Sequence, residues 1–98
     1  MTYRVIIRPE AAAEVEEAFR WHEERSEGLG LEFLRAADAC VAAVQRNPAA
    51  YPVMHGPARR ALLRKFPYAI FYLVEDDAII VLACFHIRRS PADWLRRT

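Results

Sequence analysis

Two apolar segments meet at an acidic turn in residues 68–86, YAIFYLVEDDAIIVLACFH. Residues 69–74 and 78–86 are rich in Ile, Val, Phe and Tyr, which favour strands. Three acids, Glu75, Asp76 and Asp77, separate them, and so short a polar link between two strand-forming runs predicts a β-hairpin. We therefore expect a sheet built around this hairpin.

A further strand precedes the hairpin, over residues 59–66, because its residues alternate with a period of two. One face of it carries Arg60, Leu62, Arg64 and Phe66. The connections between these last three strands are too short for crossovers, so the strands must form an antiparallel meander. Residues 49–57, which contain two prolines and one glycine, are predicted to form a loop.

The N-terminal part predicts a short strand followed by two helices. Tyr3, Val5 and Ile7 alternate with more polar residues, and Pro9 ends that strand. The first helix should run from Glu10 to about residue 25, and the second should follow the Gly28-Leu29-Gly30 break and end at Asn47-Pro48. Two helices joined by so short a break form an antiparallel hairpin.

Each helix carries an apolar stripe that must be buried against the sheet. The first stripe consists of Ala12, Val15, Phe19 and His22. The second consists of Leu31, Leu34, Ala37, Cys40 or Val41, and Val44. The glutamates of the first helix should face solvent; they include Glu16, Glu17, Glu23 and Glu24. Truncation of Glu17 should therefore have little effect on activity.

Together these elements predict one α+β domain over residues 1–98, with an antiparallel sheet packed on an N-terminal two-helix hairpin. The expected order is strand, helix, helix and three strands. Ser90-Pro91 resembles the start of a helix, which predicts a short C-terminal helix at residues 92–97.

Composition and charge narrow the class of protein. With 54% hydrophobic and 28% charged residues, the chain is neither disordered nor a coiled coil. Its longest uncharged apolar run, residues 78–85, is too short to cross a membrane, and its first residues carry no secretory signal, so we expect a cytoplasmic protein. The net charge of +1 divides into −4 for residues 1–38 and +5 for residues 39–98.

The two cysteines give no indication of a metal site. Cys40 and Cys84 lie far apart in apolar surroundings and form no ligand cluster with the three histidines. We expect two buried reduced thiols, and neither a metal nor another cofactor.

Several short motifs occur in an order that resembles a known family. They are Trp21-His22, GLGLEFL at 28–34, Asn47-Pro48, FPYAIFY at 66–72 and HIRRSP at 86–91 ahead of Trp94. The chain resembles the RelE/ParE superfamily of type II toxin–antitoxin toxins, on its ParE-like side. That resemblance implies a toxin held in a heteromeric complex by a cognate antitoxin, ParD-like or RelB-like. It also implies that operator DNA is contacted only through the antitoxin.

The superfamily resemblance implies one of two activities. RelE-like members cut mRNA in the ribosomal A site without metal, whereas ParE-like members poison DNA gyrase. RNA cleavage needs proton-transferring and phosphate-binding groups. The candidates for such a site are Arg60, Arg64, Lys65, His86, Arg88 and Arg89. Strand parity predicts that Arg60 shares a face with Arg64, and His86 with Arg88 if the last strand extends that far. His86 is equally well interpreted as a strand-end residue bonded to backbone.

Two departures from the RelE-like pattern favour the gyrase alternative. The resemblance implies an Arg in the strand motif where this chain has Ala69, and a functional Tyr near the end where it has Trp94. We therefore expect a ParE-like gyrase inhibitor, and whether the chain is an enzyme stays open. The alternatives are a ribosome-dependent endoribonuclease and a weakly toxic antitoxin-binding module. The residues expected to contact the target are Arg60, Arg64, Arg88, Arg89 and Trp94.

Overall fold

The computed structural model describes residues 3–90, which form two helices and a five-stranded sheet. The elements in chain order are β1 (Arg4–Ile7), α1 (Pro9–Arg25), α2 (Leu29–Arg46), a 3-10 turn (Pro48–Ala50), β2 (Val53–His55), β3 (Ala58–Leu62), β4 (Tyr68–Glu75) and β5 (Ala78–His86). The α+β class and the helical hairpin are confirmed. The predicted C-terminal helix and Trp94 lie outside the described residues.

The sheet has the strand order β1-β5-β4-β3-β2. The meander β3-β4-β5 is antiparallel, as predicted, with Arg60 opposite Phe71 and Tyr68 opposite His86. The sheet as a whole is mixed, however, because β1 pairs in parallel with β5, through Val5 opposite Ile79. A parallel pair needs a long connection, and the two helices with the strands after them supply it.

Two predicted boundaries around the meander are wrong. The predicted loop at residues 49–57 contains the 3-10 turn and the edge strand β2, which lies between Pro52 and Pro57 and pairs with β3. Proline is tolerated at the ends of an edge strand, so its presence did not exclude this pairing. The strand predicted to reach Phe66 ends at Leu62, because Leu63 N–H donates to the Tyr68 carbonyl oxygen across a turn in which Lys65 has a φ of 71°.

The helix break occurs where glycine predicted it. Gly28 has a φ of 88°, a conformation that residues with a Cβ rarely adopt. The Glu23 carboxylate accepts hydrogen bonds from the backbone N–H groups of Gly28 at 3.1 Å and Gly30 at 3.0 Å. Glu23 therefore caps the N-terminus of α2, and its assignment to a merely solvated face is corrected.

The helices bury slightly different positions from those predicted. In α1 the residues buried against the sheet are Ala11, Ala18 and His22, while Ala12 is exposed. In α2 the buried residues are Gly30, Phe33, Ala37 and Val44, while Leu31 is exposed. In each helix the buried residue lies one position before the predicted one at two points, because helix rotation is set by how the helices pack, which periodicity does not specify.

The helices cover one face of the sheet, where Phe33, Ile70, Tyr72 and Ile79 belong to the main core. The other face carries a second apolar cluster, which includes Ala69, Phe71, Leu82 and Phe85, all of them buried. We call this side of the sheet, away from the helices, the second face. Neither helix in the described residues is long and apolar enough to span a membrane.

Candidate functional site

Arg60 lies on the second face, directly opposite Phe71 of β4. Its side chain is half-buried, and its Nε is buried without a hydrogen-bond partner in the described part of the chain. A buried guanidinium nitrogen without an acceptor is costly. Arg60 is therefore a donor for which the fold of residues 3–90 itself provides no acceptor at Nε.

Arg64 and Lys65 do not join Arg60. Because β3 ends at Leu62, both residues lie in the turn that follows it. Arg64 lines a groove of about 440 Å³ together with α2 residues such as Cys40 and Arg46. Helix α2 covers one side of the sheet, whereas Arg60 lies on the second face. The prediction that Arg60 and Arg64 share a face is therefore wrong.

The C-terminal candidates surround the end of β5, which extends only to His86. The His86 Nδ1 accepts a hydrogen bond from the Arg88 N–H at 3.1 Å, and the Arg89 N–H donates to the His86 carbonyl oxygen at 3.0 Å. His86 is thus a strand-end residue bonded to backbone, the alternative interpretation of the sequence. An accepting Nδ1 places the proton of the neutral ring on Nε2. Arg88 lies in the exposed turn beyond the strand, so it does not share a strand face with His86.

Arg89 returns toward the second face. Its guanidinium carbon lies 4.2 Å from the centre of the Phe85 ring, a cation–π contact. Phe85 and Phe71 belong to the same apolar cluster, and Phe71 lies opposite Arg60. Arg60 and Arg89 are the predicted target-contact residues that the structure associates with this face.

The surroundings of Arg60 are largely apolar. Leu62, two residues along β3, is 55% exposed, and the opposite Ala69 is fully buried between Leu62 and Phe85. The His55 residue of β2 lies opposite Ala58, two residues before Arg60. Sequence analysis assigned no role to His55, because the strand that positions it was predicted as a loop.

A second group of side chains forms a cleft on the helix side, between α1 and the ends of β4 and β5. One part, of about 480 Å³, is lined by Trp21, His22, Pro67, Tyr68 and His86. An adjoining part, of about 120 Å³, shares three of these and adds Glu14, Glu17, Ala18, Cys84 and Arg89. We call the two parts the aromatic cleft. Sequence reasoning missed it, although the four-residue spacing of Glu17, Trp21 and Arg25 places these residues in a row on one helix face.

Glu14 joins α1 to the free edge of β5. The β1 strand pairs with β5 only as far as Val81, and the Glu14 carboxylate accepts a hydrogen bond from the Cys84 backbone N–H at 3.0 Å. That N–H group would otherwise lack a strand partner. The contact fixes the position of α1 over the aromatic cleft.

Burial and the carboxylates of Glu14 and Glu17 determine the electrostatics of the cleft. Burial raises the pKa of the Tyr68 hydroxyl, with smaller upward contributions from Cys84 and Glu17 and an opposing one from Arg25. Both cysteines are free thiols. No group of three or more His, Cys, Asp or Glu side chains in residues 3–90 is arranged to hold a metal ion.

Comparison with known proteins identifies the class. A chain of the chromosomal ParDE toxin–antitoxin system from P. aeruginosa superposes with a TM-score of 0.73 at 17% identity, over 87% of this chain and 96% of that one. A mutant of the E. coli toxin RelE in the free state gives 0.72 at 16% identity, over 99% and 98%. The toxin–antitoxin complex RelBE2 from Mycobacterium tuberculosis gives 0.62 at 14% identity, over 88% and 99%. No curated protein sequence matches the chain.

The chain therefore has the fold of the RelE/ParE toxins. A family model described as the ParE toxin of the type II toxin–antitoxin system parDE matches residues 5–91, and the chain belongs to that family. It is the toxin component of a type II system, and its partner is an antitoxin.

Proposed function

We propose that this toxin acts in the cytoplasm and stops growth by binding DNA gyrase, and that a ParD-like antitoxin neutralises it. The observation that carries the proposal is the state of Arg60, whose buried Nε lacks an acceptor among the described residues and whose neighbours Leu62 and Phe71 are apolar. A guanidinium in such surroundings suits one desolvated carboxylate on a protein surface. Operator DNA would be contacted through the antitoxin alone.

The same surroundings are poor for cutting RNA. Cleavage needs groups that accept and donate a proton, and arginine does neither at physiological pH. Ala69, which occupies the position where the RelE-like pattern implies an arginine, is fully buried and leaves no space for a further cation. The Nδ1 of His86 is already bonded to backbone. These features support a binding activity over a catalytic one.

The test is a gyrase assay with the purified chain. With gyrase, ATP and supercoiled plasmid, the toxin should trap cleaved DNA, and Arg60→Ala should abolish trapping. Arg20→Ala is the matched control, because Arg20 is an exposed α1 residue paired with Glu16 at 2.6 Å. Absence of trapped DNA with a folded toxin that still stops growth would refute the gyrase target.

One observation favours the endoribonuclease as a second candidate. His55 lies opposite Ala58, on the face that carries Arg60, and an imidazole is the side chain most often used as a general acid or base. If translating ribosomes treated with the toxin yield codon-phased mRNA ends, and His55→Ala removes those ends, the protein is a nuclease. A toxin that neither traps gyrase, cuts mRNA nor slows growth would be a weakly toxic antitoxin-binding module.

A further inference from the structure

The aromatic cleft is built before any partner binds. Trp21 is 48% exposed, yet its position is fixed from two sides. The Arg25 guanidinium carbon lies 3.4 Å from the centre of the indole ring, and Arg25 Nη1 donates to the Trp21 carbonyl oxygen at 2.9 Å. The His22 ring meets the indole edge-on at 4.9 Å between centroids. A ring held in this way loses little conformational freedom on binding.

The floor of the cleft is equally rigid. His22 is buried, its Nδ1–H donates to the Ala18 carbonyl oxygen at 2.6 Å, and its ring stacks on Phe33 at 5.0 Å. Tyr68 packs edge-on against Phe33 at 4.9 Å and against His86 at 5.4 Å. The larger part of the cleft, at about 480 Å³, has the size of small-molecule pockets, which are about 300–1,000 Å³. It can therefore admit a large side chain.

Acidic side chains outnumber basic ones in the smaller part of the cleft, which is lined by Glu14 and Glu17 against Arg89. Helix α1 carries six glutamates and two arginines. Three of these glutamates are engaged: Glu14 with the Cys84 N–H, Glu16 with Arg20, and Glu23 with the N-terminus of α2. Glu17 lines the cleft and has neither an ion pair nor a hydrogen bond in the described part of the chain. A cation supplied by a partner would find its carboxylate unpaired.

We propose that the aromatic cleft holds an anchor of the antitoxin: an aromatic or large aliphatic side chain among the rings, with an adjacent Lys or Arg paired to Glu17. The rings supply apolar contact and the carboxylate selects the basic neighbour. A nucleobase could also stack there, but the two carboxylates of Glu14 and Glu17 outweigh the single Arg89 and disfavour its phosphate. The choice of the antitoxin over the target rests on the proposed function, in which the target contacts Arg60 on the opposite face of the sheet.

A binding titration tests the chemistry of the cleft. Full-length isotope-labelled toxin made in a cell-free system is titrated, with NMR detection, with N-acetyl-Phe-Arg-amide, N-acetyl-Phe-Glu-amide and uridine 5′-monophosphate. The Phe-Arg dipeptide should shift the Trp21 indole N–H and the His86 ring signals and bind at least about threefold more tightly than Phe-Glu. Glu17→Gln should abolish that preference, whereas Glu24→Gln, a matched change on exposed α1 surface, should preserve it. No shift with Phe-Arg, or tighter binding of the nucleotide, would overturn the proposal.

A second measurement distinguishes the antitoxin from the target. The affinity of the folded toxin for its cognate antitoxin is measured directly, and Trp21→Ala should weaken it by at least about tenfold, because buried Trp anchors dominate interface energies. Thermal unfolding of the free variant checks that it folds. Unchanged antitoxin affinity would overturn the proposal whatever happens to growth. Failure of the gyrase assay would leave this affinity measurement interpretable, because gyrase takes no part in it.

Discussion

Gly30 of α2 lies directly against Phe19 of α1: a Cβ placed on Gly30 would come within 2.8 Å of the Phe19 carbonyl oxygen and of two of its ring carbons. One of those atoms belongs to the backbone and cannot rotate away. The two helices therefore approach as closely as they do because residue 30 has no side chain.

Gly30→Ala should lower the free energy of unfolding by at least about 1 kcal/mol, even though alanine is the better helix former by about 1 kcal/mol. The overpacked contact must force the helices apart. Urea unfolding gives the value, and Leu31→Ala, at the exposed neighbouring position, is the control with an effect of about 0.5 kcal/mol or less. A Gly30→Ala protein as stable as the wild type would show that the hairpin can adjust.

Glu14→Ala should cost about 1–3 kcal/mol of stability, because the part-buried Cys84 N–H then loses its acceptor. Glu14→Gln keeps an oxygen at that place and should cost less. Glu10→Ala, on exposed α1 surface, is the control. Equal unfolding free energies for the Glu14→Ala and Glu10→Ala variants would mean that the N–H finds another acceptor.

Alkaline pH should destabilise the protein through Cys84. Burial, with a smaller contribution from Glu14, raises the pKa of this thiol from its ordinary value of 9.0 to about 12. Below pH 9 the thiol is protonated in both states and stability is unaffected. Above pH 9 the unfolded thiol ionises first, so stability falls until the folded thiol ionises near pH 12. Between pH 8 and 10.5 the loss from this group should be about 2 kcal/mol.

The measurement is urea unfolding at both pH values under reducing conditions. Cys84→Ala lowers stability at each pH by loss of packing, but it should reduce the difference between them. Cys40, whose pKa burial raises to about 11, contributes in the same direction. An unchanged pH difference in the Cys84→Ala protein would contradict the assignment.

Arg60→Met should abolish toxicity while leaving stability equal or higher. Its Nε is buried without a partner in residues 3–90, so a flexible apolar side chain removes a desolvation cost and keeps the packing. Loss of one desolvated charge contact with the target costs about 2–5 kcal/mol of binding. Growth after induction measures the toxicity of the variant, and thermal unfolding measures its stability. A fully toxic Arg60→Met protein would remove Arg60 from the target surface.

Ala69→Arg should unfold the protein or destabilise it by about 3 kcal/mol or more. Ala69 is fully buried, with Leu62 and Phe85 on the adjacent strands, so an arginine there would be both too large and unpaired. Arg60→Lys is the control, because it places a long cation at a half-buried position on the same face and should lower stability much less. A stable Ala69→Arg protein that cleaves mRNA on ribosomes would revive the nuclease interpretation.

Glu17 shows where helix periodicity misleads. Sequence reasoning placed Glu17 on a solvated face, and it is indeed exposed, but it also lines the aromatic cleft beside Tyr68 and His86. Glu24 is the better control residue for substitutions on α1, because it lines none of the grooves described above. Exposure on an isolated helix does not reveal which strand end lies next to it.

The sequence by itself determined the hairpin around Asp76, the meander and the helix break at Gly28, because each follows from local contrast between apolar and turn-forming residues. Tertiary structure alone decided that β1 pairs in parallel with β5, that β2 joins the edge, and that Arg60 and Arg64 lie apart. It alone also brought Trp21 to Tyr68 and His86. These relationships join residues distant in the chain. They depend on where a strand ends and how a helix rotates, and packing of the whole core determines both.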